Sequence, residues 1–497
     1  MSKNTEIIPN EAKKIFIGEA QIRKFSGRKT HEEILDELLN QVAEINFIDY
    51  LGLKPEEGEK LQQKHYIVGV IKYLLEVADA NKWNLAKVHD FIYIYNGEYW
   101  KQIEREEVKN FLGKVAIKTG CKEYDALHFE FKDKLLKQFL TDSYFPNPQP
   151  NEESILINLS NGTFEFTYEG WKLREFRAED FITYQLPFSY DANALCPKFD
   201  EYLLKVLPAK SSRILLQEYS GYIFTKLNLE KMLLLIGNGA NGKSVFFNVL
   251  CALLGKQNVL NYSMGLFNEE HNRAKLVDVL LNYSSEKGTE LKVDTFKALV
   301  SSEPLQARMK YGNPFTLHNK VRFIVNANEL PKETEQTEAY FRRFLIVPFK
   351  VTIQEHERDI DLADKIIKSE LAGVFNWMLK GIESIVINRK FTECEEASTA
   401  LNDFKQKSDS VSLFIEEKGY KPSKYQQMTL AELYTLYKYF CNDDGYKPLG
   451  KKNFSERMEK RGFEKIRMSG GAMGFYVQVA IEEDDFAEME LSEEPPF

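Results

Sequence analysis

Residues 233–247 read LLLIGNGANGKSVFF, an apolar run, a glycine-rich turn, then Gly-Lys-Ser and more apolar residues. The run predicts a buried strand, and VFFNVLCALLG predicts a helix directly after the turn. Gly237, Gly242, Lys243 and Ser244 fit GxxxxGK[ST] inside that strand–loop–helix frame. Glycines let backbone N–H groups curl around phosphate oxygens, and the helix N-terminus adds the positive end of its dipole. Gly237, Asn238, Gly239, Ala240, Asn241, Gly242, Lys243 and Ser244 are therefore candidates for holding the phosphates of ATP. In that role Lys243 reaches the β/γ oxygens and the Ser244 hydroxyl ligates Mg²⁺. Such a loop serves kinases, GTPases, transporters and DNA motors alike, so it fixes a ligand and not a function.

The later apolar runs narrow the choice. DVLLNYSSEKGTE is a strand ending in Ser285-Glu286. A carboxylate at the C-terminal edge of a neighbouring strand holds Mg²⁺ or polarises the attacking water. Glu286 is the candidate, Glu290 its competitor, and a solvated residue past a strand the plain alternative. KVRFIVNANELP ends in Asn326-Ala327-Asn328, where an amide can touch the γ-phosphate or orient water. Its place in the NELP turn favours Asn328 over Asn326; the alternative is an Asn chosen for the turn before Pro331. In AYFRRFLIVPF, Arg342 and Arg343 precede an apolar strand, so one or both must leave the core. An arginine reaching into a neighbouring subunit's site is worth roughly 10³–10⁵ in rate in well-studied cases. A head-to-tail ring supplies one by geometry, with structural salt bridging as the alternative.

At 497 residues the chain is expected to hold two to four domains. Five scattered cysteines without a CxxC suit free thiols in a reducing cytoplasm, and seven dispersed histidines argue against a zinc site. No run approaches 18 apolar residues and MSKNTEIIPNEAKK lacks an apolar leader, so the expectation is a cytoplasmic protein without a membrane span. The net charge of −9 argues against a nucleic-acid partner until its distribution is read. The last sixteen residues, EEDDFAEMELSEEPPF, carry eight acidic side chains and no basic one, leaving −1 for the rest. Within that remainder, 451–467 (KKNFSERMEKRGFEKIR) holds seven Lys/Arg against three Glu.

Helix-spaced apolar residues predict a helical region over 1–90. Asn96-Gly97 and Asn161-Gly162 mark β-hairpins in an α+β domain over 91–200. Strands and helices alternate from 201 to about 350 as in an α/β nucleotide-binding core, and a helical lid follows to 405. Residues 410–480 show helices and then a hairpin at Ser469-Gly470-Gly471, the order of a winged helix. Lys451, Lys452, Arg457, Lys460 and Arg461 lie on what would be its recognition helix, for phosphate contact or merely as a solvated face. The tail 482–497 reads as disordered.

Taken together, GNGANGKS, SSE, NANELP and FRRFLIVPF in this order resemble the superfamily 3 helicases, and more narrowly the phage, plasmid and poxvirus primase–helicase family. FKALVSSEPLQARMKYGNPFTLHNKVRF is similar to the family's segment between its second and third motifs, with Lys297, Arg308 and Lys310 in the basic positions. LPFSYDANALCPKFDEYL and ELAGVFNWMLKGI resemble the segments flanking the core, so the likeness runs over about 90–480. The resemblance implies an AAA+-like core, a hexameric ring, and a hairpin directing Arg308 and Lys310 at single-stranded DNA in the channel. One departure is Val300-Ser301-Ser302-Glu303, where the family often carries Thr-Gly-Gly/Asp. A primase half is not expected, since the one Asp-x-Asp, Asp359-Ile360-Asp361, falls in a charged helical stretch.

The sequence thus predicts a multidomain α/β protein with an AAA+-like core, an N-terminal α+β region and a C-terminal winged-helix-like domain. The leading expectation is an ATP- and Mg²⁺-dependent helicase of a mobile element, acting on single-stranded and forked DNA, 3′→5′ by resemblance alone. A AAA+ initiator or remodeller without processive unwinding, and a nucleotide-gated DNA-binding scaffold, stay open. The acidic terminus, similar to the tail of bacterial single-stranded DNA-binding proteins, is a candidate for recruiting a separate primase or polymerase or host replication proteins.

Overall fold

The computed structural model describes residues 30–88, 91–143, 154–167, 170–285, 291–310, 312–328 and 337–479. Glu286, Glu290, the NELP turn after Asn328 and the acidic terminus lie outside them. The chain divides into two compact units, 1–192 and 193–497.

In the first unit, helices α1 (His31–Gln41), α2 (Phe47–Leu51) and α3 (Gln63–Ala80) precede strands β1 (Leu85–Val88), β2 (Phe91–Tyr95) and β3 (Trp100–Ile103). Helices α4 (Arg105–Lys118), α5 (Glu123–Leu127) and α6 (Phe129–Asp142) follow, then strands β4 (Ile155–Leu159), β5 (Gly162–Thr167) and β6 (Gly170–Arg174). Thr30 and Glu33 form a reciprocal capping box that starts α1. The β2–β3 turn is held by Asn96, whose side-chain oxygen accepts from Glu98 N and Tyr99 N at 3.0 Å. Ile34, Leu38, Val70 and Leu74 share one core with Leu112, Val115, Leu135 and Phe139. The division expected at residue 90 therefore separates no two cores, and strand β1 already begins at Leu85. Helical periodicity reports which face is buried, not against which partner.

The second unit opens with α7 (Pro197–Val206) and α8 (Lys210–Tyr222). Its centre is built from β7 (Met232–Ile236), α9 (Lys243–Leu254), β8 (Val259–Leu260), α10 (Glu270–Arg273), β9 (Leu281–Ser285) and α11 (Val293–Val300). A hairpin of β10 (Leu305–Arg308) and β11 (Pro314–Leu317) precedes β12 (Arg322–Ala327), α12 (Glu338–Phe341) and β13 (Phe344–Pro348). The five parallel strands lie in the order β13-β7-β12-β9-β8. Met232 and Leu234 join the core with Phe296, Phe323 and Phe344, while Leu233 and Leu235 are buried on the other side. A strand covered on both faces must be continuously apolar, which is why LLLI reads as it does. Helices α13 (Leu362–Asn388) and α14 (Glu395–Ser408) follow, and α13 crosses α8 closely. A Cβ on Gly381 would sit 2.2 Å from Gln217 O.

The last segment runs α15 (Ser410–Glu417), β14 (Tyr420–Thr429), α16 (Leu430–Asp443), α17 (Lys451–Lys460), β15 (Lys465–Arg467) and β16 (Met473–Val479). Its sheet has the order β14-β16-β15 over a core of Phe414, Tyr437, Phe454 and Phe475. Strand β14 had no counterpart in the sequence reading. Among the described residues no helix is long and apolar enough to cross a membrane.

Candidate functional site

The glycine loop joins β7 to α9 at the C-terminal edge of the sheet. Gly239, Ala240 and Gly242 adopt φ of +92°, +47° and +88°, so the chain turns back on itself before the helix begins. Gly237 is required by close approach: a Cβ there would lie 2.0 Å from Asn241 Nδ2 and 2.6 Å from Phe349 O. Asn241 Nδ2 donates to Phe349 O at 3.2 Å, and Tyr202 Oη donates to Gly242 O at 2.9 Å. The Lys243 ammonium is buried inside the loop, donating to Gly237 O and, at 3.1 Å, to Asn241 Oδ1. Backbone N–H groups at a helix N-terminus beside an ammonium are the donor set that phosphate oxygens accept from, so the residues present fit such a group. Ser244 is exposed at the second position of α9.

Parallel pairing brings further candidates to this edge. Asn326 pairs with Leu235 on one side and Ser285 on the other, and Gly237 N donates to Ala327 O at 3.2 Å. The strand that leads to Glu286 is thus separated from the loop's strand by β12 rather than adjacent to it. Asn326 is engaged internally, its Oδ1 accepting from Tyr283 Oη at 3.0 Å. Burial pushes the Tyr283 hydroxyl well above its ordinary pKa, so it stays a donor. Asn328 is exposed one residue past β12.

The two arginines occupy the opposite edge, because they precede Phe344, which pairs with Met232 at the start of β7. Their environments differ. Arg343 is 6% exposed, with Nε and Nη2 donating to Ser301 Oγ at 3.0 and 2.8 Å and Nη1 donating to Ala339 O. The Arg342 side chain is 57% exposed and donates to Glu230 Oε2 at 2.9 Å. Burial, and next the Arg342 charge, pull the pKa of neighbouring Lys231 down.

The hairpin between α11 and β12 carries Arg308 at the end of β10, exposed and 3.5 Å from Glu270, and Lys310 exposed in its turn. Lys297 is half-buried on α11. On α17 the five basic residues also divide. Arg457, half-buried, and Arg461, exposed just past the helix, pair with Asp409 at 3.5 and 2.6 Å, whereas Lys451 and Lys460 are exposed and Lys452, also exposed, lies 3.9 Å from Glu456. Asp359 and Asp361 are exposed just before α13, with Asp359 paired to Lys365. Tyr202 and Glu230 carry no motif signal, and Ser301, singled out only as a departure from the family pattern, meets Arg343 through a contact distant in the chain.

Residues 72–208 match a family described as D5 N terminal like, and residues 406–490 one described as poxvirus D5 protein-like. Residues 235–343 match a family of unknown function, DUF5906. A helicase-named protein of Acanthamoeba polyphaga mimivirus is 24% identical over 300 residues, covering 55% of this chain. The chain spans 29% of that relative's length. Apo structures of the NrS-1 C-terminal region are similar at 11–12% identity and TM-scores of 0.45–0.46, over 81% of this chain and 97–98% of theirs.

Proposed function

Because this chain belongs to the D5-type family of phage and poxvirus primase–helicases, we propose that it is an ATP-driven, ring-forming DNA helicase with an AAA+-like core. The loop amides and Lys243 bind the β- and γ-phosphates, and Asn328 orients the attacking water. A Mg²⁺ ion held by Ser244 and Glu286 would neutralise charge on those phosphates.

The observation that carries the ring is the polarity of the sheet. Strands β7 and β13 start together, so Arg342 and Gly237 lie at opposite ends of the five residues of β7. At about 3.3 Å per residue that is roughly 16 Å, too far for Arg342 to reach the phosphates of its own loop. An exposed arginine at one edge and a phosphate loop at the other suit a head-to-tail assembly, in which each Arg342 completes the next subunit's site. Arg343 is committed to its own fold and takes no part.

The β10–β11 hairpin starts from the same edge as Arg342, and its Arg308 and Lys310 suit a grip on the phosphates of single-stranded DNA. The order α-β-α-α-β-β in 410–479 supports a winged helix with Lys451, Lys452 and Lys460 toward DNA. That segment also favours a second reading, an initiator that binds duplex DNA and hydrolyses ATP without unwinding. A forked-DNA assay decides between the two: strand separation with DNA-stimulated ATPase supports the helicase, and ATPase without separation from assembled rings supports the initiator.

A further inference from the structure

Arg342 does not stand alone at its edge of the sheet. Glu230 Oε2 accepts from Arg342 Nη2 at 2.9 Å and lies 3.4 Å from Arg343 Nη2. Arg343 is itself fixed by Ser301 Oγ and Ala339 O. The segment before β7 is equally constrained. Leu229 N donates to Tyr222 Oη at 2.9 Å, Asn228 Nδ2 to Ser301 O at 2.7 Å, and Lys231 Nζ to Arg342 O. Tyr222 in turn lies under the buried Arg322 guanidinium, 3.7 Å from ring centroid to Cζ. Within this frame Glu230 holds φ +53°, a left-handed backbone that residues other than glycine rarely adopt and keep only where their surroundings impose it.

Two features decide what the carboxylate does to Arg342. The contact engages one Nη, and among the described residues the rest of the fork makes no hydrogen bond, so it stays open to an anion. The carboxylate is shared with Arg343, so two guanidiniums meet one carboxylate and the cluster keeps a net positive charge. An arrangement that spares both the fork and the charge orients an arginine rather than occupying it.

We infer that Glu230 is the positioning residue of Arg342, braced by buried Arg343, and that it holds the guanidinium where a neighbouring subunit's terminal phosphate meets it. This rests on the trans-acting role of Arg342 proposed above. Without the carboxylate, a long side chain must find its geometry anew at each turnover, and a misplacement of about 1 Å can cost on the order of a hundredfold in rate.

The test uses Glu230→Gly and Glu230→Gln in the full chain. Glycine accepts φ +53° without strain, so Glu230→Gly removes the carboxylate while relieving the backbone. The expected result is a kcat for ATP hydrolysis lowered roughly ten- to a hundredfold in Glu230→Gly and less in Glu230→Gln. KM for ATP, assembled mass and Tm should be retained. In an Arg342→Ala background, Glu230→Gly should change kcat no further, since it acts through that arginine. An unchanged or raised kcat in Glu230→Gly overturns the inference, a rise marking a restraint instead. A loss of Tm or assembly that parallels the loss of activity also overturns it, in favour of a structural role. If Arg342→Ala itself hydrolyses ATP at the wild-type rate, the trans-acting reading fails first.

Discussion

Replacing Arg342 and Arg343 by alanine one at a time should produce opposite phenotypes, although the two residues are adjacent. The Arg342–Glu230 pair is exposed, with side chains 57% and 34% accessible, so losing it costs about 0–1 kcal/mol. At about 2–4 °C per kcal/mol for a domain of this size, Tm should move by no more than about 4 °C. Hydrolysis should fall by roughly 10³–10⁵ if the guanidinium stabilises transition-state charge. Arg343→Ala instead removes a buried guanidinium bonded to Ser301 Oγ and Ala339 O and leaves Glu230 without its inner partner. Losing the hydrogen bonds of a buried charged group costs about 1.5–3 kcal/mol, or roughly 3–12 °C in Tm. Scanning calorimetry and a steady-state ATPase assay on the same preparations read both quantities. An Arg342→Ala protein with wild-type turnover, or an Arg343→Ala protein as stable as wild type, would refute the reasoning.

Other outcomes follow from particular contacts. Gly237→Ala places a Cβ against Asn241 and the Phe349 carbonyl, so calorimetric titration should detect no ATP binding while circular dichroism stays native. Arg308→Gln and Lys310→Gln should each lower the slope of log K against log salt for single-stranded DNA by about 0.7, and an unchanged slope removes that residue from the interface. Burial opposes ionisation of Asp409, but hydrogen bonds from Ser412 and Arg461 outweigh it and hold its pKa below the ordinary value. The resulting stability is complete above about pH 4 and is lost as pH falls through the depressed value. Asp409→Ala should therefore cost about 1.5–3 kcal/mol at neutral pH and little in strong acid; a cost independent of pH would discard the pairing.

The strand–glycine turn–helix frame of 232–254 was legible because its requirements are local: an apolar strand covered on both faces, and glycines where the backbone turns. What the sequence left open depended on contacts distant in the chain. Nothing in FRRF says which arginine is buried, since the choice is made by Ser301, forty-two residues away. The order of strands placed β12 between the loop's strand and the one leading to Glu286, and hydropathy carries no information on lateral order. Strand β14 escaped notice because YKPSKYQQMT is mostly polar and exposed, and its register shifts between Pro422 and Gln427. The helices of 31–80 looked separable because periodicity marks their apolar faces without showing that α4 and α6 cover them.

The central claim is that each ATP site is completed by Arg342 of another subunit, and mixing two inactive variants tests it most directly. Lys243→Ala lacks the ammonium of the glycine loop but keeps Arg342; Arg342→Ala has the converse defect. In equal mixtures that exchange subunits, about a quarter of the interfaces join an intact loop to an intact arginine. ATPase activity should return to as much as about a quarter of wild type if sites fire independently. Mixtures as inactive as their components, in rings shown to have exchanged subunits, would contradict it.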